Sequence, residues 1–205
     1  MRRALCVCGM AAMAAALLVG SAAAQEKKNA DAPQGQGMPI PKPGPEHEIF
    51  KKDVGVWDAT VETTMEPGGK PNVSKGVETN TLLGDGLWLI SNFQSEFLGA
   101  PFQGHGVMGY DPHKRKYVGT WVDSMSTGLS TTEGTYDAKT RTLTTRMEGP
   151  GPDGTMMKMR STSQWKDADT RVFTMYSPAG HGEEFAVMKI TYKRRSGSAP
   201  ARATN

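Results

Sequence analysis

The chain has 205 residues and a mass of 22.1 kDa, with 37% hydrophobic and 22% charged residues, the size of one domain with appendages and too apolar for wholesale disorder. The formal charge is +3. Setting aside Arg2 and Arg3, which fall in a segment expected to be cleaved, leaves 22 basic residues against 21 acidic ones, so the charge points neither to nucleic acid nor to an anionic membrane surface.

Residues 1–24 read as a signal peptide. Arg2 and Arg3 are followed by an apolar run from Ala4 to Gly20 that is short for a membrane span, then by the small-residue cleavage pattern Ala22-Ala23-Ala24. Both cysteines, Cys6 and Cys8, lie inside it, so the mature chain is expected to have no disulfide, thiol or cysteine–metal chemistry. The expected location is secreted or periplasmic, without a membrane span. Residues 25–44, rich in Gln, Lys, Pro and Gly, read as a disordered leader, and residues 195–205 as a disordered tail. The domain is expected over 45–194.

It opens with one short helix. Pro45 suits a first helical position, Glu46 and Glu48 suit the positive end of the helix dipole, and Gly55 is the expected stop. Everything after it reads as strand. Trp57, Ala59, Val61, Thr63 and Met65 alternate with polar residues at period two, and nine turn signals follow between Glu66-Pro-Gly-Gly and Ala179-Gly-His-Gly. Nine turns imply ten strands. Their tight connections imply antiparallel neighbours, because a parallel crossover needs a dozen or more linking residues. Ten twisted strands in a meander would leave two open edges, so the expected class is all-β, the meander closed into a barrel. A two-sheet sandwich is the alternative.

Gly55-Val56-Trp57 stands where the helix meets the first strand, and Lys193-Arg194 ends the last one. This resembles the lipocalin-like (calycin) pattern, in which a Gly-x-Trp tryptophan stacks under a basic side chain of the final strand and closes the barrel bottom. The resemblance assigns barrel closure to Gly55, Trp57 and Arg194, and cation–π attraction gives it a physical basis.

Several motifs fail on context. Gly104-His-Gly-Val-Met-Gly109 matches a dinucleotide fingerprint by letter, but Tyr110-Asp111-Pro112 follows at once and no helix can open on those glycines. The glycines instead permit bending or close packing. His47-Glu48-Ile49-Phe50-Lys51 begins like a zinc-protease helix, yet Lys51 replaces the second histidine. No nucleophile elbow is present. No metal, cofactor or catalytic residue is therefore assigned.

The residues expected near a barrel cavity are Glu78, Asn80, His105, Trp121, Asp123 and Glu133, with Arg160 or Arg146 available to partner a buried carboxylate. His105 shares a face with Gln103 and Val107, opposite Phe102, Met108 and Tyr110; it points inward only if that aromatic face turns out. The carboxylates read equally well as an outer, solvated face. Ten methionines survive signal removal, mostly within strands. Adaptable core filling is the default reading, a plastic apolar pocket the next, and copper(I) binding through Met156-Met157-Lys158-Met159 a further alternative.

The strings Asp53-Val-Gly-Val-Trp-Asp-Ala-Thr, Lys75-Gly-Val-Glu-Thr-Asn, Gly104-His-Gly-Val-Met-Gly-Tyr-Asp, Tyr117-Val-Gly-Thr-Trp-Val-Asp-Ser-Met-Ser-Thr, Gly134-Thr-Tyr-Asp and Phe173-Thr-Met-Tyr resemble a bacterial secreted family known as domain of unknown function 1579. The resemblance implies one extracytoplasmic, calycin-like domain and brings no catalytic residue with it. Three functions stand open: a carrier of a small, largely apolar molecule, an enzyme using His105 with Glu78 or Asp123, and an envelope interaction protein. Oligomeric state is not legible.

Overall fold

Period-two alternation from Trp57 onward becomes ten strands in a computed structural model that describes residues 40–151, 154–180 and 183–197. The signal segment 1–24, the leader up to residue 39 and the tail from residue 198 lie outside the described residues. A 3-10 turn at Pro45–His47 leads into the helix α1 (Glu48–Lys51). The strands are β1 (Gly55–Thr63), β2 (Asn72–Leu83), β3 (Trp88–Phe97), β4 (Ala100–Asp111), β5 (Lys116–Asp123), β6 (Ser130–Asp137), β7 (Thr142–Pro150), β8 (Met156–Trp165), β9 (Thr170–Gly180) and β10 (Glu183–Arg194). Each pairs antiparallel with the next, and β1 pairs with β10, so the meander closes into a ten-stranded barrel with no open edge.

The register carries one inner face around the ring. Thr63 of β1 stands opposite Met188, Met188 opposite Met175, Met175 opposite Ser161, Ser161 opposite Thr145, and Thr145 opposite Gly134. From the other side, Trp57 stands opposite Glu78, Glu78 opposite Phe93, Phe93 opposite Gly104, and Gly104 opposite Asp123. Because side chains alternate at period two, these rows fix which residues point inward on every strand.

The helix is shorter than expected. It ends at Lys51, not at Gly55, and the chain turns through Asp53, whose amide donates to the Phe50 carbonyl at 3.0 Å. The reason is tertiary: the Asp53 carboxylate is drawn into the barrel to accept from Trp165 and Arg171. Gly55, at φ 123°, then swings the chain into β1, a conformation that costs a side-chain-bearing residue more.

The helical segment plugs one end of the barrel. Ile49 and Phe50 pack with Leu89, Tyr117, Leu143 and Trp165 in one buried cluster. Edge-on aromatic contacts run from Phe50 to Tyr117, from Tyr117 to Tyr136 and on to Trp165, with centroids 5.9, 6.5 and 5.9 Å apart, each worth about 0.5–1.5 kcal/mol beyond burial. The Tyr117 hydroxyl donates to the Glu46 carbonyl at 2.8 Å, and burial pushes its pKa up to about 12. His47 is structural here: it is buried, and its Nδ1 accepts from the Gly44 amide at 3.0 Å. A second cluster, Trp57, Ala59, Val61, Phe93, Ile190 and Tyr192, fills the barrel's middle.

Candidate functional site

Just inside the plugged end sits a charged cluster. Arg171 of β9 donates from Nη1 to Asp53 Oδ2 at 2.8 Å and from Nη2 to Glu78 Oε1. Trp165 Nε1 donates to Asp53 Oδ1 at 2.7 Å, Trp57 Nε1 to the Asp53 carbonyl at 2.8 Å, and Asn80 Nδ2 to Glu78 Oε1 at 2.8 Å. All six residues are buried. The Arg171 guanidinium also lies 4.1 Å from the Tyr192 ring centroid. One cation thus serves two carboxylates. Burial raises the Asp53 pKa above its usual value; the Arg171 cation opposes that rise and the Glu78 carboxylate adds to it. Arg171 is held more firmly protonated by Asp53 and Glu78, and burial pushes the Tyr192 phenol well up. Asn80 Oδ1 and Arg171 Nε find no hydrogen-bond partner among the described residues.

Outside this cluster Arg194 seals the same end. Its guanidinium lies 4.1 Å from the Trp57 ring, and it donates to the carbonyls of Val54 and Lys52 and to Asp169 Oδ1 at 3.0 Å. Trp57 is completely buried between this cation and the barrel interior. The next residue, Arg195, continues the ladder, its amide donating to the Val56 carbonyl at 2.8 Å.

The opposite half of the barrel differs. There the inner face carries Phe102, Trp121, Met147, Met157, Met159, Phe173, Met175 and Met188, all half-buried rather than buried. The Trp121 indole lies flat on β4 because Gly104 and Gly106 stand beneath it: a Cβ at Gly104 would overlap the ring, and one at Gly106 would come within 3.1 Å of it. Gly109, on the outer face, gives the same room to Trp88. Close packing of two tryptophans is therefore what this glycine run does. Trp121 Nε1 donates to Asp123 Oδ2 at 3.0 Å, and Asp123 Oδ1 accepts from the Met125 amide at 2.9 Å. At the floor of this bowl, the hydroxyls of Thr145 and Ser161 meet at 2.6 Å. Met65, Leu98, Met125 and Leu129 are exposed on the turns at this end of the barrel, and Val73, Val122 and Met156 are exposed on the outer face near the strand ends there.

The structure divides the residues singled out from the sequence. Glu78 and Asn80 belong to the charged cluster, and Trp121 and Asp123 line the bowl. His105, Glu133 and Arg160 stand on the outer face, which corrects their expected place near the cavity. His105 faces out because Phe102, Met108 and Tyr110 take the inner positions of β4; its Nδ1 is 2.8 Å from Asn92 Oδ1. Glu133 pairs with Lys116 and, at 3.4 Å, with Lys114, and Lys116 holds its carboxyl below the usual range. Arg160 binds Glu184 and stacks 3.8 Å from the Tyr176 ring. Neither Arg160 nor the exposed Arg146 partners the buried carboxylates; Arg171 does. Its signal was available, since Arg171 keeps step with Phe173 and Met175 and so puts a charge into an inward stripe. Asp53 had none, because it precedes the first strand.

Among the described residues no group of three His, Cys, Asp or Glu side chains is placed to hold a metal, and no helix is long and apolar enough to cross a membrane. No curated protein matches the chain. Among solved structures, that of Rv2717c from M. tuberculosis is similar at a TM-score of 0.57 and 12% identity, over 75% of this chain and 99% of that one, a likeness of fold alone. The model of the family described as "Protein of unknown function (DUF1579)" matches residues 42–194, the whole barrel with its plug, and the chain belongs to that family.

Proposed function

We propose that this protein binds a small, largely apolar molecule in the open half of its barrel. The observation that carries the reading is the contrast in burial along the inner face. Residues at the level of Trp57, Glu78 and Trp165 are sealed, whereas Phe102, Trp121, Phe173 and the inward methionines keep accessible surface that no part of the described chain covers. Aromatic and thioether walls suit an apolar ligand, and methionine adapts to its shape. Asp123, the Thr145–Ser161 pair and the Ser74–Ser95 pair are among the polar groups available to orient it. The apolar rim favours entry of the same kind of molecule.

An enzyme built on His105 with Glu78 or Asp123 is not supported, because His105 lies on the outer face and both carboxylates on the inner one. No hydrogen-bond reach exists across a sheet. Export to a secreted or periplasmic location is part of the proposal and rests on the sequence of residues 1–24.

The test is native mass spectrometry of the full chain purified from its own host, followed by organic extraction, alongside titration with a fluorescent apolar probe. A co-purifying apolar molecule, or saturable probe binding that quenches tryptophan emission and is weakened by Trp121→Ala, is the expected result. A mass equal to the bare polypeptide together with no saturable probe binding overturns the proposal.

A further inference from the structure

The two walls of the bowl are made differently. On β1 to β5 the half-buried inward apolar side chains of the open half are the aromatics Phe97, Phe102 and Trp121. On β7 to β10 most are methionines, Met147, Met157, Met159, Met175 and Met188, with Phe173 and Phe185 among them. Leucine or isoleucine would bury as well, and the barrel uses both elsewhere inside, at Leu143 and Ile190. The thioethers are also ordered. Met147 stands directly opposite Met159, and Met175 directly opposite Met188. Ser161, two residues along from Met159, stands opposite Met175. Met159 and Met175 are thus diagonal neighbours, about 7–8 Å apart at the backbone and within reach of long side chains, while each direct pair is about 4.5–5.5 Å apart. All are half-buried and keep accessible surface.

We propose that this wall is a thioether site for a soft monovalent cation, Cu(I) in chemical class, with Met159 and Met175 as its central ligands and Met147 and Met188 flanking them. Methionine sulfur is neutral, soft and a poor donor to Mg²⁺, Ca²⁺ or Zn²⁺, but it suits Cu(I). No competing cluster of histidines or carboxylates exists among the described residues to recruit a harder ion. The sequence run Met156-Met157-Lys158-Met159 is not itself the site, because Met156 points outward and is 68% exposed. Binding is simple coordination, with no change of oxidation state and no proton released.

The experiment uses the full chain with Ag(I) nitrate in chloride-free buffer, Ag(I) being a redox-stable stand-in for Cu(I), and follows methionine methyl resonances by NMR. Shifts at Met159 and Met175 on equimolar addition, with the exposed Met65, Met125 and Met156 as unshifted internal controls, are expected. The double variant Met159→Leu, Met175→Leu keeps the core volume and should bind Ag(I) at least about 10-fold more weakly, since even outer-sphere partners of a metal are worth that much. Trp121→Ala, which is expected to weaken the apolar probe but leaves every thioether in place, should bind Ag(I) as the wild type does, and this separates failure of the cation site from failure of the ligand-binding reading on which the bowl rests. Equal shifts at exposed and inward methionines, or wild-type Ag(I) affinity in the double variant, overturn the cation site.

Discussion

Between Trp57 and Thr63 on β1, the barrel interior changes character. Around Trp57 the inner residues are charged or aromatic, and most of their polar atoms are tied to a named partner: Asp53 to Trp165 and Arg171, Glu78 to Arg171 and Asn80, the Trp57 indole N–H to the Asp53 carbonyl. Toward Thr63 the apolar ones are methionines and aromatics that are half-buried rather than buried. A buried polar network holds one arrangement, because each broken hydrogen bond strands a desolvated group. A methionine wall accepts many arrangements at little cost. One end of the molecule is built to stay put and the other to adapt.

The largest effect is expected at the closed end. Arg171→Met removes the cation that two buried carboxylates share and should destabilise the fold by about 3–5 kcal/mol, read as a lower denaturation midpoint in urea. An unchanged midpoint would mean the cluster is solvated and the two ends are alike. In the open half, Gly104→Val puts side-chain atoms where the Trp121 ring lies. It should cost about 1–3 kcal/mol by overpacking and weaken apolar-probe binding, because the ring must leave the wall. If probe affinity holds while stability falls, Trp121 is packing and not lining.

Acid–base behaviour sharpens the same contrast. Burial raises the folded-state pKa of Asp53 above the unfolded value near 3.8. The folded protein therefore binds this proton more tightly than the unfolded chain does. Its contribution to stability is full below that value and is lost as pH rises through the raised folded pKa, by at most about 1.4 kcal/mol per pH unit. Asp53→Asn, which cannot ionise, should flatten that decline, seen by comparing urea midpoints across pH 4 to 8. The smallest effect is expected outside the barrel. His105→Ala removes an exposed hydrogen bond to Asn92 and should change stability by no more than about 0.5 kcal/mol, with probe binding untouched. A loss of binding in that variant would return His105 to the site.

Much of this was legible in the strand pattern. Nine turn signals located nine turns, and period two located ten strands, because both are local properties of consecutive residues. Gly55-Val56-Trp57 and Arg194 could be read as a pair only through a family resemblance, since 137 residues separate Trp57 from Arg194. The face of β4 was not legible. Phe102, Met108 and Tyr110 alternate with Gln103, His105 and Val107, and a one-residue slip exchanges the two sets. Register across four neighbouring strands decides it, and it decides His105 with it. Arg171 stood out as a charge in an inward stripe, but its pairing with Asp53 did not, because the two are 118 residues apart and Asp53 precedes the first strand.

By itself the amino-acid sequence determined the class of the fold, the number of strands and the absence of thiol chemistry beyond residue 24, because alternation, turn residues and cysteine count need no partner to be read. Only the tertiary structure decided which carboxylate meets which arginine, which face of each strand is sheltered, and that the inward methionines share one wall. Those facts belong to the closing of the ring, which brings β1 against β10 and fixes every register between them.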